Sequence, residues 1–143
     1  MTVRIKFIDK EIEKFLEKFK KVKGRPSELL NEIGKALVTS TKERFSTQQS
    51  PDKTKFKALS PRYLTSKIKK GFKGGILSRT GELKKSIRYE VDGKTLTVGS
   101  NQVYAATHQF GSKINNIPAR PYLGLSKLDE ERISTLFLEA LSD

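Results

Sequence analysis

The spacing of apolar residues changes several times along the chain, and each change marks an element. Residues 3–8 alternate, with Val3, Ile5 and Phe7 set against Arg4 and Lys6. That is the period of a short half-buried strand, or of the lead-in to a helix. From Lys10 to about Val22 the period lengthens: Ile12, Phe15, Leu16 and Phe19 recur at helical spacing, and Glu13, Lys14, Glu17 and Lys18 take the wet side. Asp9 suits the cap of this helix, and Glu17–Lys21 is a favourable pair one turn apart. Gly24-Arg25-Pro26-Ser27 interrupts it, with the glycine at the terminating position and Ser27 as cap of the next helix. That helix is expected from Glu28 to about Gln48, with Leu29, Leu30, Ile33, Leu37, Thr41 and Phe45 as its buried stripe. At roughly 20 residues it spans about 30 Å and forms the spine of the fold.

The second half reads as shorter pieces. Residues 50–57 are polar and turn-rich, and Ser60-Pro61 opens a short helix whose Tyr63, Leu64 and Ile68 are expected to face inward. The segments near 49–58 and 69–75 (the latter KKGFKGG) are expected to be mobile basic loops. Thr80-Gly81-Glu82-Leu83 leads into a short helix through Ile87. Ile87, Tyr89 and Val91 then alternate with charged residues, Asp92-Gly93 supplies a turn, and Leu96 and Val98 alternate again. This is a β-hairpin pattern. Tyr104 to Phe110 suits a short helix or turn, whereas residues 117–122 hold too much proline for a helix interior. A last helix from about Lys127 to Leu141 has Leu128, Ile133, Leu136, Phe137 and Leu141 on one broad face. Asp129, Glu130 and Glu131 favour its N-terminal dipole. The expected fold is α+β in a single domain, 1–143. It has two N-terminal amphipathic helices, a small antiparallel sheet built on a hairpin near 86–99, and a C-terminal helix. The N-terminal strand, or residues near 117–123, would complete the sheet.

Charge adds more than composition does. The 143 residues carry a net +13, and residues 53–88 alone carry +11. Such a segment favours a polyanion, because neutralising phosphates releases counterions; it is equally the pattern of a solvated lysine-rich surface. Phe56, Tyr63 and Phe72 are interleaved with its lysines but fall on no expected sheet, which argues for nonspecific contact over base reading. The candidate DNA-facing residues are Lys67, Lys69, Lys70, Lys73, Arg79, Lys84 and Lys85. With no cysteine, disulfides and thiol chemistry are excluded. No apolar run is long enough to span a membrane, and residues 1–10 lack the apolar centre of a signal peptide, so synthesis in the cytoplasm is expected.

No catalytic set emerges. His108 is the single histidine, with no strained nucleophile turn to serve, and it suits a structural place beside Tyr104 and Phe110. The carboxylate pairs Glu130/Glu131 and Glu11/Glu13 fall on solvated helix faces. Residues 71–75 lack the strand before and the Ser/Thr after that a phosphate loop needs. No catalytic residue, metal ligand or cofactor is therefore assigned.

Three signatures carry a resemblance. Ile76-Leu77, Thr80-Gly81-Glu82-Leu83 and Ser86-Ile87 resemble "IL…TG-x-L-x-x-SI". Val98-Gly99-Ser100, Tyr104-Ala105 and His108-Gln109-Phe110-Gly111 resemble "VGS…YA…HQFG". Ile117-Pro118-Ala119-Arg120-Pro121-Tyr122-Leu123-Gly124 resembles "IPARP-aromatic-LG". In this order they are similar to the phage virion morphogenesis family, the tail-completion proteins of Mu-like phages and prophages. Lys53 and Phe56 depart from it, standing where glycine and tryptophan are expected. The resemblance implies a structural, non-enzymatic virion protein of the tail or neck that completes the tail and joins it to the head as a ring. The implied partners are identical subunits, other head–tail connector or tail proteins, and nonspecific duplex DNA in the channel, with no membrane. A free-standing nonspecific nucleic-acid-binding module using 53–88 is the alternative. The interface candidates are Tyr104, His108, Phe110, Pro118, Arg120, Pro121 and Tyr122, since a proline-rigid segment loses little entropy on assembly. Arg120 suits either a carboxylate on a neighbouring subunit or a partner in its own chain.

Overall fold

A computed structural model of the protein describes residues 3–7, 26–71, 75–77, 81–93 and 95–142. The helix expected from Lys10 to Val22 and its Gly24 stop lie outside these residues.

Among the described residues eight elements follow one another: β1 (Val3–Phe7), α1 (Pro26–Thr47), α2 (Pro61–Lys69), α3 (Glu82–Ser86), β2 (Arg88–Asp92), β3 (Thr95–Ser100), α4 (Ala105–Phe110) and α5 (Lys127–Ser142). The architecture is mixed helix and antiparallel sheet, ending in a helix. β2 and β3 form the expected hairpin around Asp92-Gly93, with Asp92 paired to Thr95 and Tyr89 to Val98. The N-terminal strand completes the sheet: β1 pairs antiparallel with β3, Ile5 opposite Val98, giving the order β1-β3-β2.

α1 is the spine. Its stripe of Leu29, Leu30, Ile33, Leu37 and Phe45 is buried, and the buried Thr41 satisfies its hydroxyl within the helix by donating to the Leu37 carbonyl at 2.7 Å. The helix begins at Pro26, so Ser27 lies inside it and is not its cap. Proline suits this place, because its fixed φ is helical and the N–H it lacks has no partner in the first turn. The sheet packs on α1, and so does α5. Gly34 makes the close approach to β2: a Cβ there would stand 2.4 Å from the Tyr89 ring. Leu83, Ile87, Leu96, Val98, Ile133 and Phe137 close the core from the other elements.

Two helical faces depart from expectation. In α2, Ser60 caps and Pro61 opens the helix as read, with Ser60 Oγ accepting from the Tyr63 N–H. Tyr63, Leu64 and Ile68 nevertheless stay exposed, and the buried residue is Lys67. Its ammonium donates to the Gly75 carbonyl at 2.9 Å, so the inner face of the helix is the one that closes the following loop. In α5, Ile133 and Phe137 are buried, but Leu128 is exposed and Asp129 takes the inner place. Ser126 and Asp129 form a reciprocal capping box: the Asp129 N–H donates to Ser126 Oγ at 3.0 Å, and the Ser126 N–H donates to the Asp129 carboxylate at 2.9 Å. The Leu141 side chain lies outside the description.

Candidate functional site

The segments that carry the three signatures fold onto one another. Ser86 and Ser100 share a buried hydroxyl–hydroxyl hydrogen bond, and Ser86 also donates to the Leu83 carbonyl. Gln109 clamps the proline-rich segment: its amide oxygen accepts from the Tyr122 and Leu123 N–H groups, each at 3.0 Å, and its amide nitrogen donates to the Leu123 carbonyl. A side-chain amide thus supplies the donor and acceptor that a neighbouring strand would supply. The Arg120 N–H donates to the His108 carbonyl at 2.8 Å, and Ser112 and Ile117 bridge as a short turn. Gly111 has φ of 78°, and a Cβ there would meet the Ala119 nitrogen at 2.8 Å, so this crossing requires glycine.

Two interface candidates are consequently internal. Tyr122 is fully buried: its hydroxyl donates to the Ala105 carbonyl at 2.8 Å, its ring lies 5.5 Å from that of Phe45, and burial pushes its pKa up. Arg120 is only 6% exposed, and it donates through Nε to the Lys57 carbonyl at 2.7 Å and through Nη2 to the Ala58 carbonyl. Of the two readings of Arg120, the partner within its own chain is the one observed, and that partner is backbone, not carboxylate. Burial lowers its pKa.

Arg120, His108, Tyr104, Pro118 and Lys67 line one open groove of about 910 Å3. Leu59, Tyr63, Leu77, Glu82, Leu83 and Thr107 join them. The Tyr104 and His108 rings meet edge to face at 5.6 Å. Nδ1 of His108 is buried without a hydrogen-bond partner among the described residues. Burial, and after it the Arg120 charge, holds the imidazole below its ordinary pKa. Burial, and after it Glu82, raises the Tyr104 phenol. Among the described residues it is the His108 backbone carbonyl, accepting from the Arg120 N–H, and not the ring Nδ1, that makes a hydrogen bond. Pro121 is half-buried outside the groove lining, and Phe110 stands away from it, 68% exposed. Val103 and Ile114 are exposed nearby along the chain.

The basic candidates separate. Lys67 is buried, which removes it from any DNA-facing surface. Lys69, Lys70 and Lys85 are exposed and Lys84 is half-buried, whereas Lys73 and Arg79 lie outside the described residues, as does Phe72. The 49–58 segment is a turn closed by the Gln49–Lys55 bridge, with Phe56 buried beneath it.

Sequence reasoning missed Gln48 and Arg44. Gln48 ends α1 with φ of 59°; its side-chain amide donates to the Phe45 and Ile76 carbonyls and accepts from the Ile76 N–H, pinning 75–77 to the helix end. Arg44 is buried against Asp129 at 2.5 Å and donates to the Tyr122 and Gly124 carbonyls at 2.7 and 3.2 Å. The sequence placed Asp129 only at the helix N-terminal dipole; the capping-box spacing of Ser126 and Asp129 is the signal that could have turned it inward. Among the described residues no cluster of acids and histidine is arranged to hold a metal, and no helix is long and apolar enough to cross a membrane.

The signature segments thus form one hydrogen-bonded scaffold beside a mainly apolar groove, the architecture of a small structural subunit. The chain belongs to the phage virion morphogenesis family, whose pattern matches residues 8–142. It is 37% identical over 106 residues to the putative capsid assembly protein G of Escherichia phage Mu, covering 68% of each chain. It is 30% identical over 128 residues to the Mu-like prophage FluMu G protein 2 of Haemophilus influenzae, covering 86% of this chain and 83% of that one. It is also 34% identical over 103 residues to an uncharacterized protein of Methanocaldococcus jannaschii, covering 67% of this chain and 74% of that one. No solved structure matches it significantly. The protein is a phage structural or assembly protein associated with the virion.

Proposed function

We propose that this protein completes the phage tail and joins it to the head, acting at the neck or tail terminus as a ring of identical copies. It works by shape and charge and transforms no substrate. The family membership over residues 8–142 carries this reading. The geometry is consistent with it: the signature residues build a hydrogen-bonded scaffold, and that scaffold leaves a groove and several large apolar side chains open to partners. Those partners are identical subunits and other connector or tail proteins, with nonspecific duplex DNA passing the basic surface. Particles made without this protein should show separate, full heads and tails by negative-stain imaging. Normal joining in its absence refutes the proposal.

The exposed Lys69, Lys70 and Lys85 favour a second reading, a nonspecific nucleic-acid-binding module. It requires tight duplex binding by the isolated protein, falling steeply with salt. Gel shifts at two salt concentrations decide, and no binding at low salt removes it.

A further inference from the structure

We infer that the ring closes by a head-to-tail contact in which the outer face of α5 on one copy packs against the outer face of α2 on the next. The inference rests on the ring reading above and gives that ring its interface.

Both faces present large apolar side chains. On α2, Leu64 is 44% exposed and Ile68, one turn on, is 65% exposed. On α5, Leu128 and Leu138 are 65% and 62% exposed, on a face that also presents Glu131 and Thr135. A gap of ten residues in a helix is about 15 Å, close to the length of a nine-residue helix such as α2. Leu128 and Leu138 can therefore bracket one α2 helix.

Charge selects the pairing. Around the α2 face stand the exposed Arg62, Lys69 and Lys70, and residues 61–70 hold no acid. On α5 the exposed charged residues are Glu130, Glu131 and Glu139 against the basic Lys127 and Arg132, a small net negative charge. An α2–α2 contact would bring cations together, and an α5–α5 contact would pair two faces of mixed charge, each with a small net negative excess. The cross pairing is the one that sets opposite net charges against each other, and complementarity of this kind sets register and disfavours wrong partners. It joins two different patches, which is the relation that generates rings and not two-fold dimers. Among the described residues, α2 and α5 are not among the element pairs that pack extensively on each other within one copy.

The absence of cysteine makes cross-linking a clean test. Purified I68C and L138C variants are mixed and oxidised at the concentration where the wild type self-associates. The expected product is a dimer linked 68 to 138, and the I68C/L138C double variant should give a ladder ending at one closed oligomer. Dominant 68–68 or 138–138 products overturn the inference. In light scattering, L138D should weaken self-association roughly tenfold or more, since it removes a leucine from the contact. K69E/K70E and E130K/E131K should each weaken assembly, and mixing the two variants should restore it. Circular dichroism checks that each variant is folded. Assembly that survives both L138D and I68D places the ring contact elsewhere and leaves the ring reading standing. A wild type that is monomeric both in solution and on tails overturns both.

Discussion

Asp129→Ala is the substitution that most directly tests the account of the core. The Arg44 and Asp129 side chains are 7% and 6% exposed. Burial acts to lower the Arg44 pKa, and the Asp129 carboxylate is the largest influence opposing it. Removing that carboxylate leaves a buried guanidinium without its counter-charge, a loss of about 3–5 kcal/mol. It also removes the acceptor for the Ser126 N–H, a cap contribution of about 1 kcal/mol that partly overlaps the first. Arg44 keeps its bonds to the Tyr122 and Gly124 carbonyls and to Ser40 Oγ, which holds the cost toward the lower end. A net loss of about 3–4 kcal/mol is expected, or a fall in Tm of about 10 °C for a chain of this size. Thermal and urea denaturation measure it. Asp129→Asn keeps an acceptor for Ser126 and loses only the charge, so it should fall between wild type and alanine. Arg44→Met with Asp129→Ala should cost less than the sum of the two single changes, because the stranded charge leaves with its partner. A loss below about 1 kcal/mol for Asp129→Ala, or strict additivity in the double variant, refutes the reasoning.

The other expectations concern separate contacts. Gly34→Ala should destabilise by about 1–2 kcal/mol in denaturant titration: helix propensity gains about 1 kcal/mol, but the new methyl group meets the Tyr89 ring and overpacking costs more. A neutral or stabilising result would show that the ring gives way freely. Tyr122→Phe should cost about 1 kcal/mol by the same assay, since it removes the hydroxyl donor to the buried Ala105 carbonyl while keeping the ring contact with Phe45. His108 has a folded pKa held below its unfolded value by burial and Arg120, so the native state binds fewer protons than the unfolded chain. Its contribution is complete above about pH 6.5 and is lost as pH falls through that value toward the folded pKa. Tm measured between about pH 7.5 and pH 5 should therefore decline, and His108→Gln should flatten that component; an unchanged slope refutes it.

Most of the framework was legible because it follows from period and capping. The α1 stripe from Leu29 to Phe45, the Ser60-Pro61 helix start and the Asp92-Gly93 hairpin are local patterns, and each is observed. What escaped is the set of polar residues turned inward. Lys67, Arg120 and Arg44 find backbone carbonyls at Gly75, Lys57, Ala58, Tyr122 and Gly124, and Gln48 and Gln109 bond strand-like to backbone that is distant in sequence. Every residue offers a carbonyl, so no side-chain pattern marks which one a cation will choose. The same blindness put Tyr63, Leu64 and Ile68 on the inner face of α2: their spacing is amphipathic, but the buried Lys67 decides which face turns inward. For the site, the sequence named Tyr104, His108, Pro118, Arg120 and Lys67 without showing that they share a groove with Leu59, Tyr63 and Glu82.

The basic segment deserves a narrower reading than its net charge suggests. Counterion release rewards only cations that can reach phosphates. Lys67 is closed off inside the fold, and Arg62, Lys69 and Lys70 stand on α2, beside apolar side chains that a phosphate backbone does not cover. Lys85 and Arg88 are exposed on α3 and β2 with no such apolar neighbour among the exposed residues of those elements. If α2 meets the next copy as proposed, its cations face that copy's carboxylates, and the exposed cations of the segment left for DNA are Lys53, Lys55 and Lys57 before α2 and Lys85 and Arg88 on α3–β2, the latter two sharing their elements with the exposed Glu82, Glu90 and Asp92. On the proposed contact, a ring would separate its two electrostatic tasks by element: one group of lysines would order the subunits, and another would face the passing duplex. Charge reversal at Lys69 and Lys70 should then disturb assembly, whereas reversal at Lys85 and Arg88 should lower the salt slope of DNA binding and leave assembly intact. One basic patch serving both tasks would couple those two readouts in every variant.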